Sequence, residues 1–216
     1  ENIIFELDIL KTVDTLVSLN VIKPIIIVCP RLENSRGINS SLITKEIIPL
    51  YSNERTINLG LYEDYFIKEI IPFIDSNYKT LNNKKGRFIG GASAGGYAAL
   101  NYGLRYPDLF SKIGGHMPAL ELQLDQEDIP YFNTIDICKK NNPLYIAKEC
   151  AISLDWQIYL DAGNKDEGGF YNGCLELYKI LFSRNIAVQN HIFEGHHNIE
   201  YIKENLEKYL IFYAAV

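Results

Sequence analysis

The chain has 216 residues, of which 47% are hydrophobic and 22% charged, a balance that suits one soluble folded domain and excludes disorder. Its formal net charge of −6 argues against nucleic acid as a partner, and no run of apolar residues is long enough for a membrane span. The four cysteines (Cys29, Cys138, Cys150 and Cys174) are too scattered for a disulfide framework or a paired-cysteine zinc site.

Hydrophobic periodicity predicts alternating strands and helices. Residues 6–19 carry Leu7, Leu10, Val13 and Val17 at helical spacing. Pro24-Ile25-Ile26-Ile27-Val28-Cys29-Pro30 follows and reads as a short strand buried on both faces. Residues 31–57, rich in Asn, Ser and Arg, read as a long surface loop, and a helix over about 62–78 is expected to bend at Pro72. Phe88–Gly91 ends the next strand, Gly95–Tyr106 is a small-residue helix, and Ser111–Gly115 is a further strand. Residues 119–150 read as a mixed, cap-like insertion with a helix near Pro143–Cys150. A strand over Trp156–Asp161 precedes a helix marked by Cys174, Leu177, Tyr178 and Leu181. Ala187–Phe193 is the last strand, and a final helix carries Ile202, Leu206, Tyr209, Leu210 and Tyr213. Without repeats or linkers, the pattern predicts a single α/β domain with a mostly parallel sheet flanked by helices.

The most informative string is Gly91-Ala92-Ser93-Ala94-Gly95-Gly96, a G-x-S-x-G sequence between a predicted strand and a predicted helix. A serine at such a turn sits in strained backbone, and small residues two positions either side let strand and helix pass closely. Its hydroxyl then stands above the sheet, with the Ala94 N–H at the helix start aimed at a developing oxyanion. A phosphate-binding loop would need Gly-Lys-Ser/Thr where Gly96-Tyr97-Ala98 stands.

A serine nucleophile needs a base, and the chain has four histidines: His116, His191, His196 and His197. His196 and His197 follow the last strand, where a hydrolase of Ser, acid, His order keeps its base. His191 lies within that strand. His116, with Met117 beside it, ends the strand after the elbow helix and is expected, like His196, to line a substrate pocket. The acid belongs after the Trp156–Asp161 strand, which offers Asp161, Asp166 and Glu167, position favouring Asp166. A metal site at His191, Glu194, His196 and His197 is disfavoured, because adjacent turn histidines rarely converge on one ion.

Tyr62–Tyr78, the Arg87–Gly96 stretch and Tyr106-Pro107-Asp108-Leu109-Phe110 resemble the esterase D-like branch of α/β-hydrolases, which includes feruloyl, acetylxylan and enterochelin esterases. The resemblance continues through Gly163-Asn164-Lys165-Asp166 and Gly195-His196-His197-Asn198, about residues 10–210 in all. It implies an eight-stranded sheet and a Ser-Asp-His triad. Asp166 falls where feruloyl esterase-like members keep the acid of a G-x-x-D loop. His197 takes the catalytic third place of a G-G-H-D turn, with His196 in place of glycine. It also implies strands ahead of Glu1, one of them ending in a His-Gly turn that supplies a second oxyanion N–H and lying between the Ile25–Cys29 strand and the elbow strand.

The sequence therefore predicts a serine carboxylesterase with Ser93 as nucleophile, His197 as base, Asp166 as its orienter and Ala94 as oxyanion donor. No cofactor or metal is expected, and the substrate is a small-molecule or polysaccharide-linked ester, on the resemblance a feruloyl or acetyl ester of plant cell wall. An acyltransferase or siderophore esterase on the same triad, and a non-catalytic module on a decayed hydrolase fold, are the competing readings.

Overall fold

The structure, a computed structural model, describes residues 6–40, 46–50, 55–123, 129–132 and 134–216. Four strands form a parallel sheet in the order β3-β4-β5-β6: β3 is Phe88–Ala92, β4 Lys112–His116, β5 Gln157–Gly163 and β6 Ala187–Phe193. Ile89, Ile113, Ile158 and Val188 stand side by side across it. Each strand is followed by helix. α3 (Ala94–Arg105) returns the chain from β3 to β4. Three short helices, α4 (Ile129–Phe132), α5 (Ile135–Asn141) and α6 (Pro143–Glu149), lead to β5. α7 (Phe170–Ser183) leads to β6, and α8 (Ile199–Ala214) closes the chain.

The sheet is buried on both faces, and strand parity decides what each face holds. In β5, Ile158, Leu160 and Ala162 join a core with Leu100 of α3, Ala147 of α6 and Leu177 and Leu181 of α7. Tyr159 points the other way, into a second core built from Tyr201, Ile202, Leu206, Tyr209 and Leu210 of α8 and Leu16 of α1 (Ile9–Ser18). The α7 stripe Gly173, Cys174, Leu177 and Leu181 and the α8 stripe follow the predicted helical spacing. Caps start the helices locally: Asn142 accepts Leu144 N–H at α6 and Asn198 accepts Tyr201 N–H at α8.

The first third of the chain departs from its sequence pattern in two places. Pro24–Cys29, expected as a buried strand, belongs to no sheet, and its Ile26, Ile27 and Val28 are 52%, 40% and 40% exposed. A strand exists only against a neighbour. Among the described residues none pairs with the outer edge of β3, so four parallel strands stand where the resemblance implies eight. The predicted 31–57 loop contains an antiparallel ribbon of β1 (Glu46–Leu50) and β2 (Arg55–Leu59), which pairs Ile48 with Ile57. Residues 41–45 and 51–54 of that loop, and 124–128 and 133 of the 119–150 segment, lie outside the described residues. The next helix, α2, runs as α-helix over Tyr62–Asp64, π-helix over Tyr65–Ile70 and α-helix over Ile71–Asn77. The widened turns come directly before Pro72, which has no N–H to return to residue 68.

At the β3–α3 turn the chain reverses within three residues. A Cβ on Gly91 would collide with the Gly95 carbonyl group, and one on Gly96 would stand 2.8 Å from Gly91 O and 3.0 Å from Pro118. Around Gly95 itself there is nothing within 4 Å of an added Cβ. The two outer glycines of the G-x-S-x-G string therefore differ: Gly91 is required by the close approach, while Gly95 offers only its backbone. Gly91→Ala is expected to lower stability by about 1–3 kcal/mol through overpacking. Gly95→Ala is expected to leave stability unchanged or to raise it by up to about 1 kcal/mol, from helix propensity. Urea denaturation followed by fluorescence of the single, buried Trp156 separates the two outcomes.

Candidate active site

Ser93 stands between β3 and α3 at φ 53° and ψ −121°, a region that costs a non-glycine residue about 1–3 kcal/mol unless its surroundings hold it there. They do so through the main chain. Ser93 N–H donates to His116 C=O at 3.0 Å, and Ser93 C=O accepts from Tyr97 N–H and Ala119 N–H, each at 3.0 Å. The strained turn is thus clamped between the first turn of α3 and the segment leaving β4. Ala94 is the first residue of α3, so its N–H has no acceptor within the helix and adds to the positive end of the helix dipole.

Two loops at the same edge of the sheet face Ser93. The loop after β5 and the loop after β6 are joined backbone to backbone: Asn164 N–H donates to Phe193 C=O at 2.8 Å and Lys165 N–H to Gly195 C=O at 2.9 Å. Gly163 makes this possible, since a Cβ there would collide with the Gly195 carbonyl. An ion pair of 2.6 Å between Lys165 and Glu194 reinforces the junction on the solvent side. Across it, His197 Nδ1 meets Asp166 Oδ2 at 2.8 Å and His197 Nε2 meets Ser93 Oγ at 2.9 Å. The Asp166 carboxylate is fully buried and its other oxygen accepts Gly168 N–H at 2.9 Å, which leaves it one orientation. Phe170, the first residue of α7, sets its ring edge-on to His197 at 5.1 Å between centroids.

Ser93, His197 and Asp166 are therefore brought together in hydrogen-bonding sequence. The remaining candidates are not part of that line. Asp161 turns its carboxylate to the α8 side of the sheet and to His116 Nδ1, 2.9 Å away. Glu167 accepts His197 N–H at 3.4 Å and meets His196 Nδ1 at 2.6 Å, both of the latter side chains largely exposed. The His196 hydrogen bond is the main cause that holds the Glu167 carboxyl below the usual range, with backbone N–H groups adding to it. His191 remains on β6 beside Gln189, so His191, Glu194, His196 and His197 each have separate partners and do not converge.

Two expected pocket residues require correction. His116 and Met117 are 5% and 3% exposed, and both are buried beneath the site in the layer against α8. The His116 ring stacks on Tyr209 at 3.7 Å and its Nε2 meets Tyr213 OH at 2.9 Å. Strand parity at the end of β4 sends this side chain away from Ser93, although its carbonyl serves Ser93. Arg36 of the 31–57 segment and Ala119, Glu121, Phe132, Cys138 and Asn142 of the 119–150 segment line, with Tyr97, a cavity of about 10 Å³, room for one water and not for an acyl group. Sequence reasoning passed over Glu167 as a backbone acceptor, Phe170 as a wall for the His197 ring, and Tyr201, and it took Tyr209 and Tyr213 only as members of the packed face of the final helix. Those three share one face of α8 at helical spacing, the signal that would have shown a polar-tipped stripe.

Comparison with known proteins gives the family and the fold. The Esterase family model matches residues 6–213. Esterase Rv1288 of Mycobacterium tuberculosis is 31% identical over 77 residues, which is 35% of this chain but only 17% of that protein. The chain thus spans about a sixth of the length of the curated relatives it matches. Among solved structures, a ferulic acid esterase superposes with a TM-score of 0.61 at 23% identity, over 72% of this chain and 61% of the other. FphF, a fluorophosphonate-binding serine hydrolase of Staphylococcus aureus, superposes with a TM-score of 0.63 at 17% identity, over 84% and 68%. With the family model matched over nearly its whole length and the parallel sheet shared with these structures, the chain belongs to the esterase family of the α/β-hydrolase fold.

Proposed function

We propose that this chain is a serine carboxylesterase that works through Ser93, His197 and Asp166 and an acyl-enzyme intermediate. The observation that carries the reading is the unbroken line from Asp166 Oδ2 through both nitrogens of His197 to Ser93 Oγ, with contacts of 2.8 and 2.9 Å. The chemistry follows from it. His197 Nε2 takes the Ser93 proton as Oγ bonds to the ester carbonyl carbon. Asp166 holds the proton on Nδ1, which leaves Nε2 free to accept, and stabilises the imidazolium that forms. The carbonyl oxygen becomes an oxyanion facing the Ala94 N–H, a donor of a kind worth about 3 kcal/mol to the transition state. The ester C–O bond then breaks, and His197 returns its proton to the departing alcohol. In the second half, His197 deprotonates water, which attacks the acyl carbon, releases the acid and restores Ser93.

The substrate proposed is a feruloyl or acetyl ester of plant cell-wall polysaccharide, a reading supported by the sequence resemblance to feruloyl and acetylxylan esterases and by the fold shared with a ferulic acid esterase. In this reading the 31–57 and 119–150 segments, which carry several Tyr and Ile residues, shape the acyl pocket.

Ser93→Ala is expected to lower kcat for p-nitrophenyl acetate by about 10³-fold or more without changing the urea midpoint. Intact-mass spectrometry after a fluorophosphonate should show one adduct on the wild type and none on this variant; turnover that survives Ser93→Ala would remove Ser93 from the mechanism. The histidines are separated in the same assay. His197→Ala is expected to match the Ser93→Ala loss, whereas His196→Ala, whose ring meets only the exposed Glu167, should stay within about tenfold of wild type. The reverse order would move the base to His196. Methyl ferulate and p-nitrophenyl acetate compared by kcat/KM then decide the acyl class, and transfer of acetyl to an added alcohol would identify an acyltransferase instead.

A further inference from the structure

Beneath the site lies a second histidine–carboxylate pair that the proposed mechanism does not use. Asp161 is fully buried, yet its carboxylate has a complete set of donors: Tyr201 OH at 2.8 Å and Tyr209 OH at 2.7 Å on Oδ2, and His116 Nδ1 at 2.9 Å on Oδ1. Its backbone carbonyl accepts Met117 N–H at 2.8 Å, and Met117 is itself in the left-handed region at φ 44°. A buried carboxylate is tolerated only when its oxygens are bonded, and a bonded one fixes the elements that supply the donors.

Those elements are the ones that carry the three site residues. His116, which holds Asp161 by its ring, holds Ser93 N–H by its carbonyl. Asp161 lies on β5, whose following loop contains Asp166. Tyr201 lies in the first turn of α8, four residues after His197, and packs so closely on Gly195 that a Cβ there would stand 2.6 Å from its ring. Its own N–H is received by Asn198, the neighbour of His197. The residues on both sides of the His196–His197 turn are thus fastened to Tyr201, and the Tyr201 hydroxyl is fastened to Asp161. Tyr209 bonds the same oxygen from two turns further along α8, and its ring, which a change to Phe keeps, stacks on His116 and not on the His196–His197 turn.

We propose that Asp161 and Tyr201 are a positioning pair that sets His197 against Ser93, with His116 as the link from Asp161 to the strained serine turn. The inference rests on the triad reading above and adds to it the support that fixes its geometry. Tyr201 and Tyr209 provide an internal comparison, since each variant to Phe removes one hydroxyl from the same buried oxygen.

The experiment measures kcat and KM for p-nitrophenyl acetate, and the urea midpoint, in the wild type, Tyr201→Phe, Tyr209→Phe and Ser93→Ala forms of the full chain. Tyr201→Phe is expected to lower kcat about tenfold with KM within about twofold, since a misplaced base impairs the chemical step and leaves ester binding intact. Both variants are expected to lower the urea midpoint by a similar amount, since each removes one hydroxyl from the same buried oxygen, while Tyr209→Phe keeps kcat within about twofold of wild type. Equal kcat for the two tyrosine variants, or losses that follow the urea midpoint alone, would overturn the positioning pair while leaving the triad in place. Turnover that persists in Ser93→Ala would overturn the triad and the positioning pair together.

Discussion

The contact between Gly91 and the backbone of Gly95 is the constraint on which the rest of the site depends. Because β3 and α3 pass with no side chain between them, the turn holds Ser93 at φ 53°, and its hydroxyl meets His197 Nε2. A residue held there must be paid for by its neighbours, and the three backbone bonds of Ser93 to residues 97, 116 and 119 do this. They also determine which loops can approach. In a parallel sheet every strand ends at the same edge, so the segments leaving β4, β5 and β6 arrive beside the serine without any long-range bending of the chain.

The loops after β5 and β6 show how burial divides one chemistry into two roles. His197–Asp166 and His196–Glu167 are both histidine–carboxylate contacts, at 2.8 and 2.6 Å, and they lie side by side. The shorter one is exposed and screened by solvent, so it contributes little to holding either side chain. The longer one has a fully buried carboxylate with a second bond to Gly168 N–H, which leaves the carboxylate no other partner geometry and fixes the imidazole tautomer. Distance alone would rank them the wrong way round.

This division also explains what was legible in the sequence. Ser93 was legible because a glycine-bounded serine between strand and helix is a local pattern, and the order of Ser93, Asp166 and His197 is a property of the chain. Helices α7 and α8 were legible from spacing, since each packs one stripe of residues against a core, whereas α3, buried on every side from Gly96 to Leu104, was legible from its small residues. Pro24–Cys29 has the composition of a buried strand, but pairing is a relation between segments, and no described residue pairs with it. The β1–β2 ribbon was hidden by Pro49 and the many polar residues around it. His116 lies near Ser93 in the fold, as its place at the end of β4 suggests. Its direction, however, is set by strand parity, which a sequence position does not reveal unless the whole sheet is known.

Parity gives β5 two functions at once. Its even positions, Ile158, Leu160 and Ala162, are the dry contact with α3 and α7; Tyr159 and Asp161 alternate with them and face α8. A carboxylate on the dry side would be an unpaired charge, whereas on the α8 side a stripe of tyrosines meets it with hydroxyls. Burial, the Asp161 charge and their hydrogen bonds to it raise the Tyr201 and Tyr209 phenols well above their ordinary range, so both stay protonated and can donate across the neutral range. A strand that begins as core thus ends as the fixed point from which Ser93 and His197 are both held. A hydrophobic residue at 161 would pack against α8 equally well but would have no direction, and the direction of Tyr201 is what the His197 turn depends on.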